Sequence, residues 1–193
     1  VEHSLHRAVN MLEAWSVLIH VKNGGVIEDN RFAQIPHDAL PLWVRGLITG
    51  YTELSAAQTR PVLAHPEIFF ESLLMLCEVS SDLGTLDSLK LSDGQRDGGG
   101  VWIRAAFQPP ATRNYPSLTT LVKQLEAGSV VDRERAARLY VLQEMARINN
   151  ARFTLQNNTR TGEQALSMLV PSATGTERPV SDLLEEHVTR SAD

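Results

Sequence analysis

Residues 138–171, RLYVLQEMARINNARFTLQNNTRTGEQALSMLVP, hold the clearest structural pattern in the chain. A helix is predicted from about Asp132 to Asn149, with Asp132 as its N-cap. Two strands, RFTLQNN and EQALSMLVP, follow this helix and are joined by a turn at TRTG. This part of the chain therefore predicts a long helix followed by two connected strands.

The preceding residues continue the mixed pattern. The stretch 65–83, HPEIFFESLLMLCEVSSDL, is apolar around most of a helix, which is typical of a helix buried on a sheet. SLKLS (88–92) and VWIRAAF (101–107) predict two strands, and DGQRDGGG (93–100) suits the loop between them. With one more helix at SLTTLVKQLEAG (117–128), these elements predict an α/β sandwich with one helical layer.

The chain before Arg60 follows a helical period. Helix one stops at Asn23, Gly24 and Gly25, and its apolar residues recur at three- and four-residue steps: Leu5, Val9, Leu12, Trp15 and Ile19. VIEDNRFAQIP reads as a connection. Helix two repeats the pattern: Leu40, Trp43, Val44, Leu47, Ile48, Tyr51 and Leu54. Because two such helices cannot close a core alone, we expect a homodimer whose two antiparallel hairpins form a four-helix bundle.

Composition and charge limit the classes of function. Of the 193 residues, 42% are hydrophobic and 21% are charged, which indicates a folded globular chain. A net charge of -5 without a basic stripe argues against nucleic acid as a partner. No apolar run approaches the roughly 18 residues that span a bilayer, and the chain opens without a signal-peptide profile. We therefore expect a cytoplasmic protein with no membrane partner. The single cysteine, Cys77, is expected to be buried and inert.

From about Pro61 to Pro171, the order helix, hairpin, helix, long helix, hairpin resembles the ATPase domain of histidine kinases. The N-terminal hairpin is similar to the phosphoacceptor helices of the same family, in the variety whose histidine box reads His-Arg-Val-Lys-Asn-Asn-Leu. HRAVNMLEAWSVL is the matching stretch, and the resemblance implies that His6 is the phosphoacceptor, with Arg7 and Asn10 beside it. His37 is the alternative phosphoacceptor, because HDALPL is similar to the histidine box of the commoner kinases.

The resemblance divides this α+β chain into three parts. Residues 1–59 form the dimerisation and histidine phosphoacceptor hairpin, and residues 60–171 form a degenerate ATPase-like α/β sandwich. Residues 172–193 form a polar C-terminal tail, in which only SDLLEEHV could make a brief amphipathic turn.

Three departures from the family imply that ATP is not bound. The magnesium-coordinating Asn of the first ATPase-domain helix corresponds to Val79, which has no oxygen ligand to offer. The adenine-binding Asp-x-Gly-x-Gly after the second strand is replaced by Gln108, Pro109 and Pro110. The glycine-rich nucleotide lid is missing, and DGGG at 97–100 precedes a strand, so it suits a hairpin loop better than a phosphate cradle.

The resemblance then points to the phosphorelay histidine phosphotransferases, which keep the kinase architecture and lose ATP binding. It implies phosphoryl transfer between aspartates of response-regulator receiver domains through His6, with no cofactor of the chain's own. A non-catalytic pseudokinase adaptor that binds a response regulator is the alternative. An active kinase with a divergent nucleotide site is the least favoured interpretation.

Overall fold

The computed structural model describes residues 2–36, 38, 40–50, 54–56, 60–94, 100–111 and 115–173, with only the backbone described at 54–56 and 94. The elements in chain order are α1 (Glu2–Lys22), β1 (Ala33–Ile35), α2 (Leu42–Thr49), β2 (Leu54–Ala56), β3 (Val62–Ala64), α3 (Pro66–Leu83), β4 (Thr85–Gly94), β5 (Gly100–Gln108), α4 (Leu118–Glu126), α5 (Val130–Ile148), β6 (Arg152–Asn157) and β7 (Gln164–Pro171). His37, most of the DGQRDGGG loop and the tail segment SDLLEEHV lie outside the described residues.

A five-stranded sheet with the order β2-β4-β5-β7-β6 forms the centre of the fold. The β2–β4 pair is parallel and the other pairs are antiparallel. Leu89, Ala105 and Leu166 lie side by side on neighbouring strands, and each belongs to the main core together with Leu73 of α3 and Leu142 of α5. A smaller antiparallel pair, β1 with β3, lies beside this sheet, where Val62 bridges to Ser172 after β7.

The C-terminal two thirds of the chain confirm the predicted elements. α3, α4, α5 and the strand pairs β4–β5 and β6–β7 occur where the sequence placed them. The N-cap of α5 was wrong, because α5 begins after Ser129. The Ser129 Oγ accepts a hydrogen bond from the Asp132 backbone N–H at 3.2 Å, and Asp132 Oδ2 accepts one from the Ser129 N–H at 3.2 Å. Asp132 is thus the third helical residue of a capping box.

Helix two was wrong in its length. α2 has 8 residues and ends before Gly50, and Leu54 belongs to β2, where it pairs with Leu89 of β4. The connection 26–36 also contains a strand, β1, whose Ala33 pairs with Ala64. Strands of three residues are too short for an alternating pattern to identify them.

The division of the chain at residue 59 stays a prediction, as does the dimeric four-helix bundle. Strands from both sides of that residue pair with each other, β1 with β3 and β2 with β4. Among the described residues, no helix is both long enough and apolar enough to cross a bilayer.

Candidate functional site

α1 lies against α3 through polar side chains in its first half and through Ala14, which shares an apolar cluster with Ile68 of α3, further along. Asn10 is buried, and its Nδ2 donates a hydrogen bond to the Glu67 backbone oxygen at 3.0 Å. One turn earlier, the Arg7 guanidinium lies 2.6 Å from Glu78 Oε1 and 3.7 Å from Glu71 Oε1. Two of the three residues that the sequence assigned to the phosphoacceptor site therefore hold α1 on α3.

The carboxyl of Glu71 is the most deeply buried acid at this contact. Burial raises the pKa of Glu71, and the nearby Arg7 guanidinium opposes that rise only in part. Of the two ion pairs that Arg7 makes, the one with Glu78 is the shorter. An incompletely neutralised acid at the centre of a helix contact weakens that contact when it ionises.

His6 lies on a different part of the α1 surface and is exposed. An α-helix turns by about 100° per residue, so His6 falls on the flank between two faces of α1. One face carries Asn10 and Ala14 and packs on α3, and the opposite face carries the predicted apolar stripe. Leu5, Leu12 and Ile19 of that stripe are 64%, 68% and 56% exposed. The imidazole of His6 is thus accessible and lies next to an apolar face that no described residue covers.

The other histidines of this region have different surroundings. His37, the alternative phosphoacceptor, lies outside the described residues. His3 is exposed and lies over Gly46 of α2, where an added Cβ would approach His3 Nε2 to 3.2 Å. His20 Nε2 lies 3.3 Å from the Val26 backbone oxygen, and its ring covers Gly25. A Cβ atom at position 25 would overlap the His20 ring, so this approach requires glycine there.

Val79, the residue that the sequence resemblance aligns with a magnesium-coordinating Asn, lies in the apolar core. Val79 is 0% exposed and belongs to the same core as Leu121 and Leu125 of α4. Gln108 is the last residue of β5, and Pro109 and Pro110 follow without a regular element. Between residues 2 and 173, the described side chains include no cluster of three or more His, Cys, Asp or Glu suited to a metal ion.

Cys77 is buried in the main core, as predicted. Burial raises the pKa of its thiol to about 12. A thiol with so high a pKa stays protonated at neutral pH and is a poor nucleophile. Cys77 is therefore a packing residue.

His65 is a feature that the sequence analysis missed, because it reads there as the first residue of an apolar helix. Its backbone N–H donates to Asn149 Oδ1 at 2.8 Å, and it is the N-cap of α3. Its Nδ1 lies 2.9 Å from Glu67 Oε2, and this contact, ahead of all others, lowers the pKa of Glu67. His65 lies at a cavity between α1 and the loop after it.

Comparison with known proteins identifies the fold. No protein family is matched by the sequence, and a search of curated proteins found no similar sequence. Among solved structures, the chain is similar to full-length ShkA in complex with AMPPNP, with a TM-score of 0.56, 14% identity, and 90% of this chain covered. The chain spans only 36% of the length of ShkA.

Two further structures cover more of their own length. The catalytic domain of histidine kinase ThkA matches with a TM-score of 0.54 and 10% identity, over 73% of this chain and 95% of that domain. The Acinetobacter baumannii histidine kinase AdeS matches with a TM-score of 0.51 and 13% identity, over 84% of this chain and 77% of that one. The chain therefore has a histidine-kinase-like fold, as the sequence resemblance predicted.

Proposed function

We propose that this chain is a cytoplasmic histidine phosphotransferase of a two-component phosphorelay. His6 accepts a phosphoryl group from the aspartate of one response-regulator receiver domain and passes it to the aspartate of another, without ATP. The observation that carries the proposal is the exposed His6 on a helix of a histidine-kinase-like fold. The burial of Val79, which the resemblance aligns with a magnesium-coordinating Asn, supports a transfer that does not use ATP.

The position of His6 on α1 suits a dimer. In the proposed homodimer, the exposed stripe of Leu5, Leu12 and Ile19 packs against a second copy, while the opposite face stays on α3. Burial of large aliphatic side chains is the main source of free energy in such an association. His6 remains on the flank between the two covered faces, where a receiver domain can reach it.

The chemistry requires only one nucleophile from this chain. A ring nitrogen of neutral His6 attacks the phosphorus of the aspartyl phosphate, the P–O bond to the aspartate breaks, and the aspartate leaves as a carboxylate. The phosphorylated ring then loses the proton of its other nitrogen to water. In the second transfer that nitrogen takes a proton back, the receiver aspartate attacks the phosphorus, and the P–N bond breaks to release neutral His6. The receiver domain supplies the magnesium ion that balances the charge on the phosphoryl oxygens.

Arg7 and Asn10 act in this proposal as positioning residues. Their contacts with Glu78 and with the Glu67 backbone fix the rotation of α1 about its axis. That rotation determines whether His6 points to the flank or toward α3. Their replacement is expected to reduce phosphotransfer through movement of α1 rather than through loss of a group that touches the phosphoryl.

Phosphotransfer to the purified full chain from a panel of phosphorylated receiver domains tests the proposal. The variants are His6→Ala, His37→Ala and, as the matched exposed control on the same helix, His3→Ala. Acid-labile phosphate is expected on the wild type and on the His37 and His3 variants, with none on the His6 variant. Label that survives in His6→Ala and disappears in His37→Ala would assign the reaction to His37 instead.

The adaptor remains the second candidate function, because Arg7 and Asn10 are engaged in the contact with α3. An adaptor needs the docking surface and no phosphoacceptor. Receivers that bind the chain with equal affinity in wild type and His6→Ala, without label on either protein, would favour it.

A further inference from the structure

The central sheet has a second face, which points away from the helical layer. Side chains alternate between the two faces of a strand, and Leu89, Ile103 and Leu166 belong to the core with α3, α4 and α5. The residues between them therefore form the opposite face, which we call the outer face. It consists of three cross-strand rows: Ser88, Ala106, Ala165 and Gln156; Lys90, Arg104, Ser167 and Thr154; Ser92, Trp102, Leu169 and Arg152.

The centre of the outer face is buried. Ala106, Ala165 and Ser167 are 4%, 0% and 0% exposed, and none of them belongs to either apolar cluster. The helices α3, α4 and α5 pack on the other side of the sheet. A sheet face that is open to water normally leaves its residues partly solvated, so burial of these small side chains favours a cover of additional chain.

The outer face is cationic, although the whole chain has a net charge of -5. Its three rows contain no acidic residue and three basic ones, Lys90, Arg104 and Arg152. Arg104 pairs at 3.0 Å with Glu163, just before β7, and the guanidinium of Arg152 lies 5.4 Å from the Trp102 ring centroid. Trp102 and Leu169 add a partly exposed apolar pair. This combination suits a segment that carries both acidic and aliphatic side chains.

The C-terminal tail has the matching composition. SDLLEEHV (181–188) contains three acidic residues, Asp182, Glu185 and Glu186, and three aliphatic ones, Leu183, Leu184 and Val188. β7 ends at Pro171 beside Gly100, two residues beyond the row of Trp102 and Leu169. The connecting residues 174–180 can span at most about 25 Å, whereas the three rows extend over about 14 Å along the strands. The segment is therefore within reach of the whole outer face.

We propose that residues 181–188 dock on the outer face of the sheet in the same chain. The aliphatic side chains of the segment pack on Trp102, Leu169 and the small residues beside them. Its carboxylates pair with the basic residues of the three rows. The docked tail neutralises the cationic surface and closes it to a receiver domain or a second copy. The phosphotransfer proposed above makes no use of this face.

Paramagnetic broadening between the tail and the sheet tests the proposal. The full chain carries ¹⁵N at the tryptophan indoles and a nitroxide on Thr189→Cys, just after the segment. The native Cys77 is buried and does not take the label, since burial raises the pKa of its thiol to about 12. The indole signal of Trp102, assigned with Trp102→Phe, should broaden more than that of Trp43. Trp43 is the internal control, because it packs with Phe70 of α3 on the helical side.

Two lysine variants separate docking from chance proximity. Lys90→Glu should weaken the broadening of Trp102 at least about twofold, because it replaces an attraction by a repulsion. Lys123→Glu is the matched control, an exposed lysine on α4, and should leave the broadening unchanged. Absence of preferential broadening of Trp102, or equal loss in the two lysine variants, would overturn the proposal.

A mixed sample identifies the chain that supplies the tail. It combines ¹⁵N-labelled chains without nitroxide and nitroxide-labelled chains without ¹⁵N. No broadening of Trp102 is expected in this sample, because each tail docks on its own sheet. Broadening there would mean that a second copy covers the outer face and would also overturn the proposal. The readout does not involve His6, so a negative result would leave the proposed phosphotransfer untouched.

Discussion

α1 and α2 carry the same kind of apolar period in the sequence and differ in what covers it. Val44 and Ile48 of α2 are fully buried in the main core, with Phe69 and Leu73 of α3. The stripe of Leu5, Leu12 and Ile19 on α1 stays exposed, and the face of α1 that meets α3 is the one with Arg7 and Asn10.

The difference shows what an amphipathic period does and does not specify. It indicates that one face of a helix is to be covered, and it leaves the covering surface open. α2 is short, and its apolar stripe reaches the core of its own chain. α1 meets α3 through a mixed face, with Arg7 and Asn10 on one half and Ala14 packed near Ile68 on the other. Its exposed apolar stripe is left for a second copy in our proposal.

The largest expected effect is a difference in the free energy of unfolding between a variant of α2 and a variant of α1. Ile48→Ala should lower the free energy of unfolding by about 3 kcal/mol, because it opens a cavity in a closed core. Leu12→Ala on α1, measured in dilute solution where the chain is monomeric, should change it by less than about 0.5 kcal/mol. Urea unfolding followed by circular dichroism measures both. Similar losses in the two variants would contradict the assignment of α1's stripe to the surface.

The proposed dimer gives the next largest effect. Leu12→Glu should weaken self-association by at least about tenfold, since a charge replaces a side chain buried between two copies. Leu42→Glu is the matched control, because Leu42 of α2 is 78% exposed and lies outside the proposed contact. Analytical ultracentrifugation over a concentration series measures the dissociation constant. A monomeric wild type at micromolar concentration would rule out the dimer.

The polar contact of α1 with α3 predicts a smaller effect. Asn10→Ala removes the donor to the Glu67 backbone oxygen and should cost about 1 kcal/mol. Glu13→Ala, an exposed position one turn further on α1, provides the control. Amide hydrogen exchange along α1 should be faster in the Asn10 variant than in either the control or the wild type. Unchanged exchange would mean that this bond does not hold α1 on α3.

The smallest effect concerns pH. Because burial raises the pKa of Glu71, the folded chain holds that proton more tightly than the unfolded chain. This contribution is complete below the ordinary carboxyl pKa and is lost as the pH rises through the raised pKa. Glu71→Gln cannot ionise and should lose less stability from about pH 4 to about pH 8 than the wild type. Urea midpoints across that range measure the difference, and Glu13→Gln should follow the wild type.

The sequence predicted the elements of the α/β part because each is long and strongly patterned. The 18 residues of α3 include 11 buried ones, a distribution that the apolar stretch 65–83 made visible. β1, β2 and β3 were missed because each has only three residues, and β1 pairs with a strand that is distant in the sequence. A local sequence pattern does not predict pairing between strands that are distant in the sequence.

The candidate site was less accessible to sequence reasoning. His6 lies on a predicted helix and is exposed, and its role as phosphoacceptor stays a prediction, while Arg7 and Asn10 contact α3. His65 could not be recognised from its neighbours, since its environment comes from Phe32, Glu67 and Asn149, which are brought together by three separate parts of the chain.

The sequence by itself determined the α+β class and the order of the long elements. These properties depend on residue type and on spacing within one helix or strand. Only the tertiary structure decided which face of α1 is covered, that α2 ends at Thr49 and packs into the main core, and that His65 lines a cavity. Those outcomes depend on contacts between residues that are distant in the sequence. The free energy of burial depends on which of these contacts form, and a local sequence pattern does not specify them.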